Sequence, residues 1–138
     1  VSRQSNQVPL PFAEEQLIKS FFLKERRERY LTGLANPRKR RKMTDAFCHF
    51  RHLDPRRIVT IQPSQQNPED IYRLLKQYGA PEHCWVISSA RSLDAHRMDL
   101  QEALAEVVGY GEGTFLCCID GKLAYFEDEE DRWILHKP

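Results

Sequence analysis

Helical spacing of apolar residues dominates the first third of the chain, and short β-branched runs dominate the rest. Leu17, Ile18, Phe21, Phe22, Tyr30, Leu31 and Leu34 predict a first helix that begins near Phe12. Pro11 suits its start, and Glu14 and Glu15 complement the positive end of the helix. A charged interval from Lys24 to Arg29 interrupts the stripe, and Gly33 with Asn36-Pro37 ends it. Asn36 and Pro37 also read as the cap and first residue of a second helix. In it Met43, Ala46, Phe47 and Phe50 recur at i, i+3, i+4 and i+7, one buried stripe that Asp54-Pro55 should stop.

Beyond Arg57 the period changes. Ile58–Ile61 predicts a strand. Asn67-Pro68 opens a helix with Ile71, Leu74, Leu75 and Tyr78 on one face and Gly79 as its C-cap. Cys84–Ile87 predicts a second strand, and Leu93–Met98 a turn centred on Asp94-Ala95. Asp99 with Glu102 forms a capping pair for a helix carrying Leu100, Ala103, Leu104, Val107 and Val108. Thr114–Ile119, Lys122–Phe126 and Arg132–His136 read as three strands, the first two joined by the hairpin signal Asp120-Gly121. The expected fold is α/β (α+β). Two N-terminal helices lead into a mixed β-sheet of β-α-β-α-β order, with at least one right-handed crossover, that ends in a three-stranded antiparallel meander.

A length of 138 residues fits one domain. Residues 1–11, polar and punctuated by proline, read as a flexible arm. Residues 12–138 read as the domain, with a basic helical part at 12–57 and an acidic mixed-sheet part at 58–138. No apolar run approaches the ~18 residues of a membrane span, so no membrane association is expected. No basic start followed by an apolar stretch suggests a secretory leader. Cys48, Cys84, Cys117 and Cys118 match neither a paired metal knuckle nor a disulfide framework, so reduced thiols and a cytoplasmic location are expected. No cofactor-binding pattern is present.

Charge changes the picture more than composition does. Net charge is only +1, yet residues 1–57 hold 14 basic and 6 acidic side chains while residues 58–138 hold 7 and 14. Five cations in a row, Arg38, Lys39, Arg40, Arg41 and Lys42, occupy the predicted first turns of the second helix. The backbone dipole is already positive there, so the arrangement is unfavourable by ~0.3–1 kcal/mol per charge. Something negative should compensate. An external phosphate would meet side-chain cations and free amides together, with Arg26, Arg27, Arg29, Arg56 and Arg57 extending the patch. Alternatively the acidic run Glu127, Asp128, Glu129, Glu130 and Asp131 supplies the compensation, within one chain or across a homodimer.

Other constellations are weaker. Parallel strand ends would place Gln62 and Ser64 beside Ser88, Ser89, Arg91 and Ser92, a cleft able to hold an anionic small ligand. Gly109-Tyr110-Gly111-Glu112-Gly113 follows a helix, the reverse of a dinucleotide fingerprint, and reads as a helix stop and a mobile turn. Cys48 and His52 stand at i, i+4 but lack a second ligand pair. Asp94, His96 and Asp99 are close in sequence, yet a turn and a cap explain both aspartates, so catalysis has thin support. These readings favour a non-catalytic binding or accessory module that docks electrostatically through the basic helix start on nucleic acid. The alternatives are a protein-interaction or homo-oligomerising module with an acidic partner, and a small ligand-binding domain or enzyme at the cleft.

Overall fold

A computed structural model describes residues 9–138 of the chain. Most of the arm expected at 1–11 therefore lies outside the described residues. The helices are α1 (Phe12–Phe21), α2 (Arg27–Leu34), α3 (Pro37–Asp45), α4 (Pro68–Gln77) and α5 (Leu100–Val107). The strands are β1 (Ile58–Thr60), β2 (His83–Ser88), β3 (His96–Asp99), β4 (Thr114–Ile119), β5 (Leu123–Glu127) and β6 (Arg132–His136). None of these helices is long and apolar enough to cross a membrane.

The α+β class and the closing meander are as the sequence predicts. The mixed pairing is not. One six-stranded sheet has the order β1-β6-β5-β4-β2-β3, and every neighbouring pair is antiparallel. β1 and β2 do run in the same direction, but the whole meander lies between them. The crossover through α4 therefore spans the meander and pairs no parallel strands.

Alternation along the strands sends side chains to two cores. Val86, Leu116, Tyr125 and Ile134 face α4 and α5. Ile87, Phe115, Phe126 and Leu135 face the layer of α1, α2 and α3. Cys117 and Cys118 accordingly point to opposite faces, each buried. The molecule is thus a three-layer stack with the sheet in the middle.

Three local expectations need correction. The helix predicted from Phe12 to Leu34 breaks at Phe22, whose backbone is extended (φ −87°, ψ 153°). Phe22 bridges Leu53 in antiparallel fashion, and its ring, fully buried, sits among Tyr30, Phe47, Phe50 and Phe115. The charged interval that follows cannot cover a core, so the chain turns out through a 3-10 turn before α2 begins. The second helix ends at Asp45 rather than at Asp54-Pro55. A 3-10 turn over Ala46–His49 continues it, leaving Ala46 exposed and Phe47 buried. Finally, the turn at Asp94-Ala95 leads into the edge strand β3, held by backbone pairing to β2 although it carries a single apolar residue.

Candidate functional site

α3 begins as its sequence dictates. Asn36 Oδ1 accepts the Arg38 amide at 2.9 Å, and Pro37 fills the first helical position. A helical step of about 100° then separates the five cations. Arg40 and Thr44 point inward. Arg41 lies on the flank toward β2, and Lys39, Lys42, Met43 and Ala46 lie on the flank toward α2.

Arg40 is held by two carboxylates from distant parts of the chain. Its Nη1 and Nη2 donate to Glu14 at 2.8 and 2.9 Å, and its Nε and Nη2 donate to Asp94 at 2.9 and 3.0 Å. Glu14, with no solvent exposure, also accepts the Trp85 indole N–H at 2.8 Å, and Asp94 accepts the Ser88 amide at 3.0 Å. Burial works against the guanidinium charge, but the bonds to Asp94 and Glu14 outweigh it and raise its pKa above the ordinary arginine value. Part of the compensation predicted for the basic helix start therefore comes from within the chain, though not from the acidic hairpin. Glu14, expected from the sequence only to complement the positive end of α1, falls on the same helical stripe as Leu17, Ile18 and Phe21.

Two constellations read separately in the sequence meet at this point. A cleft of about 260 Å³ opens between α3 and the loop after β2, with Arg40, Arg41, Thr44, Ser88, Ser89 and Arg91 among its walls. The serine hydroxyls are occupied internally. Ser88 Oγ shares a 2.7 Å hydrogen bond with Thr114 Oγ1, and Ser89 Oγ donates to Glu112 at 2.9 Å while accepting the Gly113 amide at 3.2 Å. The free charge in the cleft is arginine. Arg41 has only a loose 3.9 Å approach to Asp45 on the exposed surface. Among the described residues Arg38, Lys39, Lys42 and Arg91 form no ion pair.

The rest of the predicted cleft does not assemble. Gln62 and Ser64 sit beyond β1, which β6, β5 and β4 separate from β2. Ser92 is exposed in the turn before β3 and lies outside the cleft walls. Arg56 folds back on Asp54, donating from Nη2 at 2.8 Å, and Arg57 follows it in the 3-10 turn before β1, so neither lines the cleft.

The acidic run faces other partners than α3. Glu127 is fully buried in the Gly109–Gly113 loop. It accepts the Gly109 and Gly111 amides at 3.0 and 2.8 Å and the Tyr125 hydroxyl at 2.7 Å, with Arg132 Nε at 3.3 Å. The glycine loop thus cradles an anion, and the anion is the chain's own carboxylate. Asp128, also buried, accepts the Glu130 and Asp131 amides and closes the turn. Glu129 approaches His49 at 3.4 Å, and Glu130 pairs with Arg51. The bases that meet this hairpin therefore lie just after α3, not within Arg38–Lys42.

The remaining chemistry disperses. Cys48 approaches Ser89 Oγ at 3.5 Å, whereas His52 Nδ1 lies 2.8 Å from the Tyr30 hydroxyl, because the helix that would align them has ended. Among the described residues no three His, Cys, Asp or Glu side chains are placed to hold a metal. Asp94 is committed to Arg40, Asp99 caps α5 by accepting the Glu102 amide at 3.1 Å, and His96 is exposed on β3. Compared with models of known protein families, with curated proteins and with solved structures, the chain matches none.

Proposed function

We propose that the protein is a non-catalytic binding module that docks on nucleic acid through the β2-facing flank of α3. The observation that carries this reading is the arginine cluster: Arg41 and Arg91 stand exposed at one cleft, Arg38 is exposed one helical turn before Arg41, and Arg40 fixes the helix beneath them. Guanidinium forks suit phosphate oxygens, which they engage bidentately. Among the described residues no exposed aromatic side chain lines the cleft, so duplex backbone fits better than stacked single-stranded bases. Binding of this kind is sequence-tolerant and sensitive to salt. The acidic hairpin is a weaker partner for α3, because Glu127, Glu129 and Glu130 are engaged at Gly109, Gly111, His49 and Arg51. Four free cysteines suit a reducing compartment such as the cytoplasm.

Fluorescence anisotropy with a labelled mixed-sequence DNA or RNA duplex across a salt series tests the reading. Three neutralised phosphates give a log–log salt slope of about −2 to −3. The Arg41→Gln/Arg91→Gln double variant should lose about two units of that slope while folding normally. Absence of binding at low salt, or an unchanged slope in the double variant, refutes it.

A further inference from the structure

We propose that the opposite flank of α3 is a second docking site, one that takes an acidic amphipathic helix from a protein partner. It goes beyond nucleic-acid docking and does not depend on it. A groove of about 580 Å³ runs between α2 and α3, within the usual size of binding pockets, about 300–1,000 Å³. Its floor includes Tyr30, Gly33, Met43 and Ala46, and its rim carries Arg29, Lys39 and Lys42. The floor is mostly apolar and the rim is cationic, with Thr32 and Glu28 also in the lining.

The helices build this groove for a definite reason. Gly33 has no side chain, and a Cβ there would lie 2.8–2.9 Å from the Met43 Cε, Cγ and Sδ atoms. Met43 therefore lies directly over the α2 backbone and paves the groove. Its unbranched thioether can adjust to different apolar surfaces. Ala46 is exposed beside it at the end of α3. Lysine stems extend the apolar walls and leave their ammonium groups at the edge. Among the described residues Arg29, Lys39 and Lys42 form no ion pair, so the rim charge is unspent.

Charge complementarity selects the occupant. A phosphate over Met43 and Ala46 would give up water against largely apolar surface. A helix with apolar residues at i, i+3, i+4 and i+7 fills the floor, and Glu or Asp on its flanks meets the rim. A second copy of this chain is a poor fit, because its acidic hairpin has Glu127 and Asp128 buried.

The probe is a labelled synthetic helix with Leu at i, i+3, i+4 and i+7 and Glu at the flanking positions, beside a scrambled peptide of identical composition. Anisotropy should show saturable binding of the patterned peptide at least about tenfold tighter than of the scramble. Ala46→Glu should abolish that preference, and Arg41→Gln/Arg91→Gln should leave it intact. The NMR shift of the Met43 methyl group in the unaltered protein gives a readout independent of any variant's folding. Equal binding of both peptides, full binding by Ala46→Glu, or an unmoved Met43 methyl group overturns the proposal. So does a Met43 shift produced by a medium-chain fatty acid but not by the peptide. Because duplex binding is read on the arginine flank, either docking result can fail while the other stands.

Discussion

Arg40 turns inward while its four basic neighbours face water, and the pull comes from Glu14 and Asp94 beneath it. Removing a partner from a buried pair leaves an uncompensated charge, a loss of about 3–5 kcal/mol. Arg40→Met should therefore lower the unfolding free energy by roughly that amount in urea titrations. A loss below ~1 kcal/mol would show that the pair does not hold α3 to α1 and β2. The burial of Glu14 was legible from its place on the α1 stripe, but its partner was not, because Arg40 lies 26 positions away and Trp85 lies 71 away. His52 supplies a pH dependence. Burial, with Arg26 and Arg29 adding to it, holds its imidazole below the usual histidine range. The unfolded chain takes up a proton near pH ~6.5 while the folded chain resists it. Stability from this group is thus fully present above that pH and declines as pH falls toward the depressed folded value. Thermal melts between about pH 7.5 and 5 should show this decline, and His52→Phe should flatten it. A parent profile as flat as the variant's would contradict the assignment.

Helix starts were the most legible elements, because a cap is a local device. Asn36, Asn67 and Asp99 all accept the amides that their positions predict. The α4 stop at Gly79 and the hairpin at Gly121 follow equally from local backbone needs, with φ of 95° and 71°. What stayed hidden depends on distant partners. The break at Phe22 answers to Leu53, and β3 exists because β2 offers it hydrogen bonds. Gly113 is a case where packing decides. A Cβ on it would lie 2.3 Å from the Phe47 carbonyl carbon and 2.4 Å from the Cys48 nitrogen, both backbone atoms that cannot swing aside. Gly113→Ala should cost about 1–3 kcal/mol or more, read as a lowered melting temperature. A neutral result would mean that the segment after α3 moves away easily.

Across the whole molecule, the charge split seen by counting becomes a split between layers. The basic first part forms α1, α2 and α3, and the acidic remainder forms the sheet and the layer of α4 and α5. A field directed across the sheet should orient an approaching polyanion toward α3, and added salt should weaken that steering. Its sign and rough location were legible in sequence. The division of α3 into an arginine flank and a lysine-methionine flank emerged only once Arg40 was seen to face inward. The link between Phe22 and Leu53 has a consequence for both flanks. Leu23 N donates to His52 O at 2.8 Å and Asp54 N to Phe21 O at 2.8 Å, so the two ends of the segment that carries α2 and α3 are pinned side by side. Everything between, α2 and α3 included, is tethered there like a drawstring pouch. A partner that stills α3 from either side would tighten the same drawstring and slow amide exchange at Leu23 and Asp54 together.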